Sequence, residues 1–468
     1  MASWRTGDRA GPVRGDRRAP VHEVIGALKG ALRELGSQAS TADIEQWGFS
    51  IHATLSAAWR QFHNHEHIME VMADLDGLEV IAALYHDIVY LQADRGLPRS
   101  LRDQLACVLA PALGEPSEGP ESERPPQAWS VLPVEPGSPA SDVLAVFGSV
   151  AGEVVTPATG LNELASALVA AVQLQDALDR YQRIALAACI EQTIPFRPDP
   201  ARDLHGRLDR LGLDDGQKVR AVERAVRFGN RDVANFASED PRLFLQNTWK
   251  LLAEGNPALS SPRVYTVGEY RVALQKMEWF LGSLVPEHIF HRWGAEPDPE
   301  HHATRLRRAA ANLGLARRYL RAKLYSIGVA EAIVLVTGGD VPLDYLMGGV
   351  VSPSESTPKR VEQFLPDFAM AHDVDPDLQD LLAKGRALES SFDTGPSPLG
   401  AFLYAAIGES TVMRGFEAAC MWWAGDYGAD AFIEAQPAKP VAGIARAAAN
   451  IMETRRVGLL ALAERLEQ

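Results

Sequence analysis

Apolar residues recur at intervals of three and four along most of the 468-residue chain. This is the spacing that places side chains on one face of an α-helix. The first such run covers residues 22–35 and stops at Gly36, and Ser40 is placed to cap the next helix. Another run at 80–88 has the same period, whereas the strict alternation of a strand is nearly absent. The pattern predicts an all-α fold.

The helical pattern continues to the end of the chain with two interruptions. Residues 1–19 hold scattered arginines, glycines and prolines, which predicts a flexible basic tail. Residues 111–141 are rich in proline, glycine, serine and glutamate, which predicts a disordered insertion that contributes nothing to a core. We expect a helical domain over residues 20–290 that contains this insertion, and a second helical region over 297–468. The later predicted helices are 161–193, 201–211, 217–237, 244–252, 267–284, 306–327, 329–336, 361–368, 378–392, 399–409, 412–423 and 441–466.

Composition narrows the classes of partner. Hydrophobic residues make up 46% and charged residues 23%, as in an ordinary soluble globular protein. The net charge of −15 argues against nucleic acid or an anionic membrane surface as the main partner. The three scattered cysteines predict a reducing compartment. No apolar run approaches the ~20 residues of a membrane span, and the start of the chain does not read as a signal peptide. We therefore expect a cytoplasmic protein.

Histidines concentrate near residues 52–86, where five of the twelve fall. His63 and His67 are four apart, which predicts one face of a helix with the two rings one turn apart. His86 and Asp87 end the apolar run at 80–88, which predicts a histidine and a carboxylate at the end of a buried helix. Imidazoles and carboxylates together can hold a single divalent ion.

These residues resemble the opening of an HD-superfamily metal-dependent phosphohydrolase. The pattern that carries the resemblance is His63-Asn64-x-x-His67, followed by an apolar helix and then by His86-Asp87. It is locally similar to cyclic-nucleotide phosphodiesterases and to bacterial predicted HD phosphohydrolases with Arg-x-Tyr-His-Asn-x-x-His-Ile, here residues 60–68 with phenylalanine in place of tyrosine. The resemblance implies an HD-domain helical bundle. It also implies hydrolysis of a small phosphorylated substrate, a nucleotide monoester or diester.

The resemblance also implies roles for individual residues. His67, His86 and Asp87 would bind the metal, and His63 would be the general acid for the leaving oxygen. The reverse assignment of the two histidines, or both as ligands, stays open. The ion could be Mn, Mg, Co, Zn or Fe. Arg60 is predicted to contact a phosphate as a charge-assisted donor.

The fourth metal ligand must come from a later helix. The bacterial group carries an Asp-x-Asp-Leu run there, and residues 230–233 resemble it with Asn230 in place of the first aspartate. We therefore favour Asp232 over the other two candidates, Asp176 and Asp179. Arg227 and Arg231 on the same predicted helix are candidates for substrate binding, with a solvated helix face as the alternative.

Two other classes of function are alternatives to a hydrolase. A dinuclear iron oxygenase needs further histidines before the last aspartate, and only His205 lies between Asp87 and Asp232. That class is disfavoured. A non-enzymatic ligand-binding or regulatory protein on a partly degenerate HD scaffold is the main alternative, because Asn230 departs from the pattern and residues 297–468 resemble no family.

Overall fold

The computed structural model describes residues 20–94, 96–97, 99–112, 128–348, 359–386, 393 and 395–468. The predicted basic tail at 1–19 lies outside these residues. The fold is all-α, with one small antiparallel sheet in the described part of the chain. The chain divides into two compact units. The first comprises Met1–Ala57, His63–Tyr90 and Leu97–Ile190, and the second comprises Ala58–Phe62, Leu91–Gly96 and Glu191–Gln468.

The helices up to residue 191 build the first unit, except α5, which belongs to the second. The start of α2 (Thr41–Leu55) agrees with the sequence pattern. Ser40 is its N-cap, as predicted, and the Ser40 side chain accepts from the Asp43 backbone N–H. The predicted helix at 161–193 is two helices. In chain order they are α1 (Pro20–Glu34), α2 (Thr41–Leu55), α3 (His65–Met72), α4 (Gly77–His86), α5 (Leu91–Asp94), α6 (Arg99–Leu105), α7 (Pro139–Phe147), α8 (Leu161–Gln173) and α9 (Arg180–Glu191).

Helix α4 is the buried element of the first unit. Ile81 and Leu84 are fully buried, and the helix packs against α1, α3 and α8. A capping box fixes its start, with Asp76 and Glu79 bonding reciprocally to each other's backbone N–H. A Cβ at Gly77 would lie 2.9 Å from the carbonyl oxygen of Ala31. The close approach of α4 to α1 therefore requires glycine at this position.

The predicted insertion at 111–141 is only partly as expected. Residues 113–127 lie outside the described residues. Residues 128–141 contribute a strand and the start of α7, so the expectation of an insertion with no core residues is wrong for them. Strands β1 (Leu109–Pro111), β2 (Trp129–Val131) and β3 (Val154–Val155) pair antiparallel in that order, with Leu109 opposite Val131. Trp129 and Val131 are buried, because alternate residues of β2 face the interior.

A long central helix organises the second unit. Helix α15 spans Pro299–Val336, so the separate runs predicted at 306–327 and 329–336 are one helix. Helices α12, α13 and α17 to α21 pack against it. The helices of this part are α10 (Pro200–Leu208), α11 (Asp215–Asp232), α12 (Pro241–Gly255), α13 (Val267–Ser283), α14 (Pro286–Ile289), α15, α16 (Leu343–Met347), α17 (Pro376–Lys384), α18 (Pro398–Ile407), α19 (Glu409–Ala424), α20 (Ala429–Glu434), α21 (Ala438–Ala449) and α22 (Arg456–Glu467).

The boundary between the units differs from the sequence expectation. It falls at Ile190 and Glu191, not between residues 290 and 297. The physical reason is that Phe244, Trp249 and Tyr270 share one apolar core with the buried face of α15. No helix among the described residues combines the length and the apolar character that crossing a membrane requires.

Candidate metal centre

The segment before α3 sets the positions of the first histidine pair. Asn64 is the N-cap of α3, and its side-chain oxygen accepts from the backbone N–H groups of Glu66 at 3.0 Å and His67 at 3.3 Å. His67 is therefore in the first turn of the helix, whereas His63 lies in the bend before it. The prediction that both histidines share one helical face is wrong, because asparagine side chains compete for backbone N–H groups and favour caps.

The second part of the motif lies at the end of α4, as predicted. His86 is the last residue of the helix and Asp87 is its C-cap. The His86 Nδ1–H donates to the carbonyl oxygen of Ala83 at 2.9 Å, since a carbonyl can only accept. This bond fixes the tautomer, and Nε2 carries the lone pair. Metal-binding histidines typically donate their other ring N–H to a carbonyl in this way.

Two imidazoles converge on one carboxylate oxygen. Asp87 Oδ2 lies 3.0 Å from His86 Nε2 and 3.8 Å from His67 Nε2. The His67 and His86 rings are 5.8 Å apart between centroids, and all three side chains are buried. A neutral His86 presents a lone pair to a carboxylate oxygen, an arrangement that a cation between them stabilises. The donor set thus fits a divalent ion bound by two nitrogens and one oxygen.

The electrostatics around Asp87 favour its ionised form. Burial by itself would raise the pKa of its carboxyl group. When the imidazoles of His86, His63 and His67 are protonated, their charges and the hydrogen bond from His86 outweigh burial and hold the pKa of the Asp87 carboxyl group well below its ordinary value. These interactions favour the carboxylate form of Asp87, which is the form that binds a metal ion.

His63 has a different environment from His67. Its ring stacks on Tyr90 with 3.9 Å between centroids, and it is 6.1 Å from the His67 ring. It is half-buried, while His67 is buried. Tyr90 is not part of the motif, and it is not among the residues selected from the sequence. Its position three residues after Asp87 is the feature of the sequence that could have indicated it. The stack holds the His63 ring next to the three candidate ligands while leaving part of it accessible.

Arg60 makes a structural ion pair in the second unit. Its Nη2 lies 2.5 Å from Asp94 Oδ2 and its Nε donates to Asp94 Oδ1 at 2.9 Å. The Arg60 side chain is fully buried. The guanidinium that is predicted to contact a phosphate thus pairs with a carboxylate. The assignment of Arg60 to phosphate binding stays a prediction.

The candidates for the fourth ligand differ in setting. Asp176 and Asp179 are exposed, and Asp179 accepts from the Gln182 backbone N–H at the start of α9. Asp232 is half-buried at the end of α11, in the second unit. The assignment of Asp232 stays a prediction.

Asn230 has a structural explanation. It is buried, its amide donates to the His291 carbonyl at 2.7 Å, and its oxygen accepts from the His291 N–H at 2.9 Å. An aspartate could not donate, so the backbone of this segment requires asparagine here.

Arg227 and Arg231 of α11 are the candidates for substrate binding. Arg227 lies 3.6 Å from Glu296 and is partly exposed, and Arg231 is half-buried. Their assignment to substrate binding stays a prediction.

No protein-family model, curated protein or solved structure matched the chain. The resemblance to the HD superfamily therefore rests on the sequence motif at residues 60–87.

Proposed function

We propose that the protein is a divalent-metal-dependent hydrolase of a phosphate ester. The observation that supports this is the convergence of His67 Nε2 and His86 Nε2 on Asp87 Oδ2, at 3.8 and 3.0 Å. The fixed tautomer of His86 adds to it, since the nitrogen that faces Asp87 is the one with a lone pair. That the ester is a nucleotide, and that it is a monoester or a diester, comes from the resemblance alone.

A bound divalent ion supplies a Lewis acid for phosphoryl oxygens and lowers the pKa of a water ligand. His67, His86 and Asp87 would hold this ion. His63 would donate a proton to the leaving oxygen, because an imidazole next to the ligands can reach a phosphate held there. Tyr90 positions the His63 ring by stacking on it. Asp232 as a further ligand, and Arg227 and Arg231 as substrate contacts, belong to this proposal.

The regulatory alternative loses part of its motivation. It was suggested by asparagine at position 230 and by a second region that resembles no family. The two hydrogen bonds of Asn230 to the His291 backbone give that asparagine a structural reason. The alternative predicts a protein that binds a ligand and does not turn it over. A test of turnover and of metal content together distinguishes the two.

The test is elemental analysis of the purified protein combined with a panel of phosphate monoesters, cyclic nucleotides and nucleoside triphosphates. Wild type is expected to hold at least one divalent ion per chain and to hydrolyse a member of the panel. Asp87→Asn keeps the shape of the side chain and removes its charge, and it should lose both properties. Asp76→Asn is the matched control, because asparagine caps a helix as well as aspartate does. Equal metal in wild type and Asp87→Asn would contradict the proposal.

A further inference from the structure

The second unit buries a group of charged and aromatic side chains that the proposed hydrolase site does not use. Helices α12, α13 and α15 contribute one residue each, and the other two come from the segment between α17 and α18. We call this group the Arg386 cluster, and its members are Trp249, Tyr270, Lys323, Arg386 and Asp393. All five are buried, and the side chains of Arg386 and Asp393 are fully so.

Ion pairs and cation–π contacts hold the cluster together. Asp393 Oδ2 lies 3.1 Å from Arg386 Nη2 and 3.5 Å from Lys323 Nζ. The Arg386 guanidinium carbon is 4.5 Å from the centroid of the Trp249 ring. Lys323 Nζ is 5.4 Å from the ring centroids of both Trp249 and Tyr270. The five side chains therefore form one connected group of contacts.

Charge among the described residues of the cluster is not balanced. The two basic side chains of Lys323 and Arg386 face the one carboxylate of Asp393, a formal excess of one positive charge within the cluster. A buried charge without a full set of partners is costly, because the interior does not replace the water that it loses. The aromatic faces offset part of this cost, since a cation over a ring is worth about 0.5–2 kcal/mol. An additional negative group would offset the rest.

Hydrogen bonding is also incomplete, and mainly on the donor side. Among the described residues, the three guanidinium nitrogens of Arg386, the Trp249 Nε1 and the Tyr270 hydroxyl make no hydrogen bond of good geometry. The Tyr319 hydroxyl is near enough to Arg386 to affect the pKa of the guanidinium. The Trp249 N–H is near enough to Tyr270 to affect the pKa of its hydroxyl. The Arg386 Nη2 is close enough to Asp393 for an ion pair, but its N–H is not aligned for a hydrogen bond. Buried polar groups in proteins nearly always have partners. These atoms therefore call for a molecule that brings acceptors.

Tyr270 is available as a donor. Burial raises the pKa of its hydroxyl well above the ordinary value, and the charge of Asp393 acts in the same direction, opposed by Arg386 and by the nearby Trp249 N–H. The hydroxyl keeps its proton at neutral pH. An arginine, an indole N–H and a phenol together provide donors and one positive charge, which is the chemistry that recognises an oxyanion.

We propose that the Arg386 cluster is a binding site for an oxyanion, namely the phosphate or carboxylate group of a small molecule. All five residues of this site belong to the second unit, and none of them is a candidate residue of the metal centre. The competing explanation is a structural ion-pair group whose remaining donors bond to ordered water. The two explanations differ in whether the full-length protein takes up an anion in a way that depends on these donors.

Equilibrium dialysis with radiolabelled orthophosphate, and separately with radiolabelled acetate, measures that uptake. Both experiments are done with the full chain in EDTA, so that no divalent ion can bring phosphate to the metal centre. We expect about one bound ion per chain for at least one of the two probes. Binding of phosphate identifies a phosphoryl group as the ligand, and binding of acetate alone identifies a carboxylate. Binding of neither probe would overturn the proposal.

Variants then locate the bound ion. Tyr270→Phe removes a single donor and keeps the packing, so it should fold and bind the anion about ten- to a hundredfold more weakly. Tyr325→Phe is the matched control, because it removes a different buried hydroxyl, on α15, that already donates to Gln436. Tyr325→Phe and Asp87→Asn should bind as wild type does. Equal affinity in Tyr270→Phe and Tyr325→Phe would show that the ion binds elsewhere and would reject the site.

Discussion

His63 and His67 differ in what holds them. His67 is buried in the first turn of α3, and His63 is a half-buried ring in a bend, stacked on Tyr90. A ligand needs a fixed lone pair, whereas a proton donor needs a fixed ring with access to the substrate. The residue identities could be predicted from the motif. The difference in local structure between the two histidines could not, because it depends on whether Asn64 continues the helix or caps it.

This difference predicts different losses on mutation. His63→Ala should keep its metal and lose rate by about 10²- to 10⁴-fold, because a general acid contributes only when the leaving group takes its proton. His67→Ala should lose metal and rate together. Elemental analysis and steady-state kinetics on the same preparations measure both. The loss in His63→Ala should shrink for a nitrophenyl ester, whose leaving group needs little protonation.

His65→Ala is the control for both variants. His65 lies between them in the sequence, but its Nε2 faces Glu23 at 3.3 Å in a partly exposed pair. Such a pair contributes little to stability. His65→Ala should therefore keep both metal and rate. Loss of metal in His63→Ala with retention in His67→Ala would reverse the assignment.

Arg60 offers a second test at the scale of single residues. Its fully buried pair with Asp94 predicts that Arg60→Met lowers the free energy of unfolding by about 3–5 kcal/mol, because Asp94 is then left buried without its cation. The double variant Arg60→Met/Asp94→Leu should recover most of the loss, since it leaves no buried charge. Urea unfolding of the two variants and wild type gives the comparison. A normal stability in Arg60→Met, with a raised KM, would instead favour the phosphate contact first expected of this arginine.

At the scale of elements, the pattern of apolar residues located most helices and missed two kinds of feature. It missed β2, because Trp129 and Val131 follow a proline-rich run and three residues are too few to show alternation. It divided α15 at residue 328, because the polar, basic first half and the apolar second half of that helix differ in composition but not in period. A change in composition along one helix reflects a change in how deeply the helix is buried. The sequence alone does not distinguish such a change from the end of one helix and the start of another.

The N-cap of α3 carries a prediction about this element. Asn64→Ala should lower the free energy of unfolding by about 1 kcal/mol, because two backbone N–H groups lose their acceptor. It should also weaken metal binding, since one of those N–H groups belongs to His67. Ser40→Ala is the matched control. It removes the N-cap of α2 at a similar cost in stability and should leave metal affinity unchanged. Equal metal affinity in Asn64→Ala and Ser40→Ala would show that the N-cap of α3 does not contribute to metal binding.

At the scale of the whole molecule, the sequence predicted the fold class and placed the boundary between the units wrongly. The expected domain ended near residue 290 because the motif's last aspartate, Asp232, had to be included. Packing places residues 191–290 with α15 instead, since their aromatic residues complete its core. The order of the motif indicates which residues the proposed chemistry would use. It does not fix which compact unit supplies each of them.

The stability of the molecule should respond to the proposed metal by mass action. A ligand that binds only the folded chain stabilises it by about 2.7 kcal/mol at a hundred times its Kd. Mn²⁺ and Mg²⁺ are the ions to use, because the twelve histidines and three cysteines of an unfolded chain bind Zn²⁺ and would cancel the effect. Calorimetry of EDTA-treated wild type should show a Tm that rises with the logarithm of ion concentration. His65→Ala should show the same rise, and His67→Ala should show none over that range. An equal rise in His67→Ala would place the ion away from α3 and α4, whatever the activity of the protein.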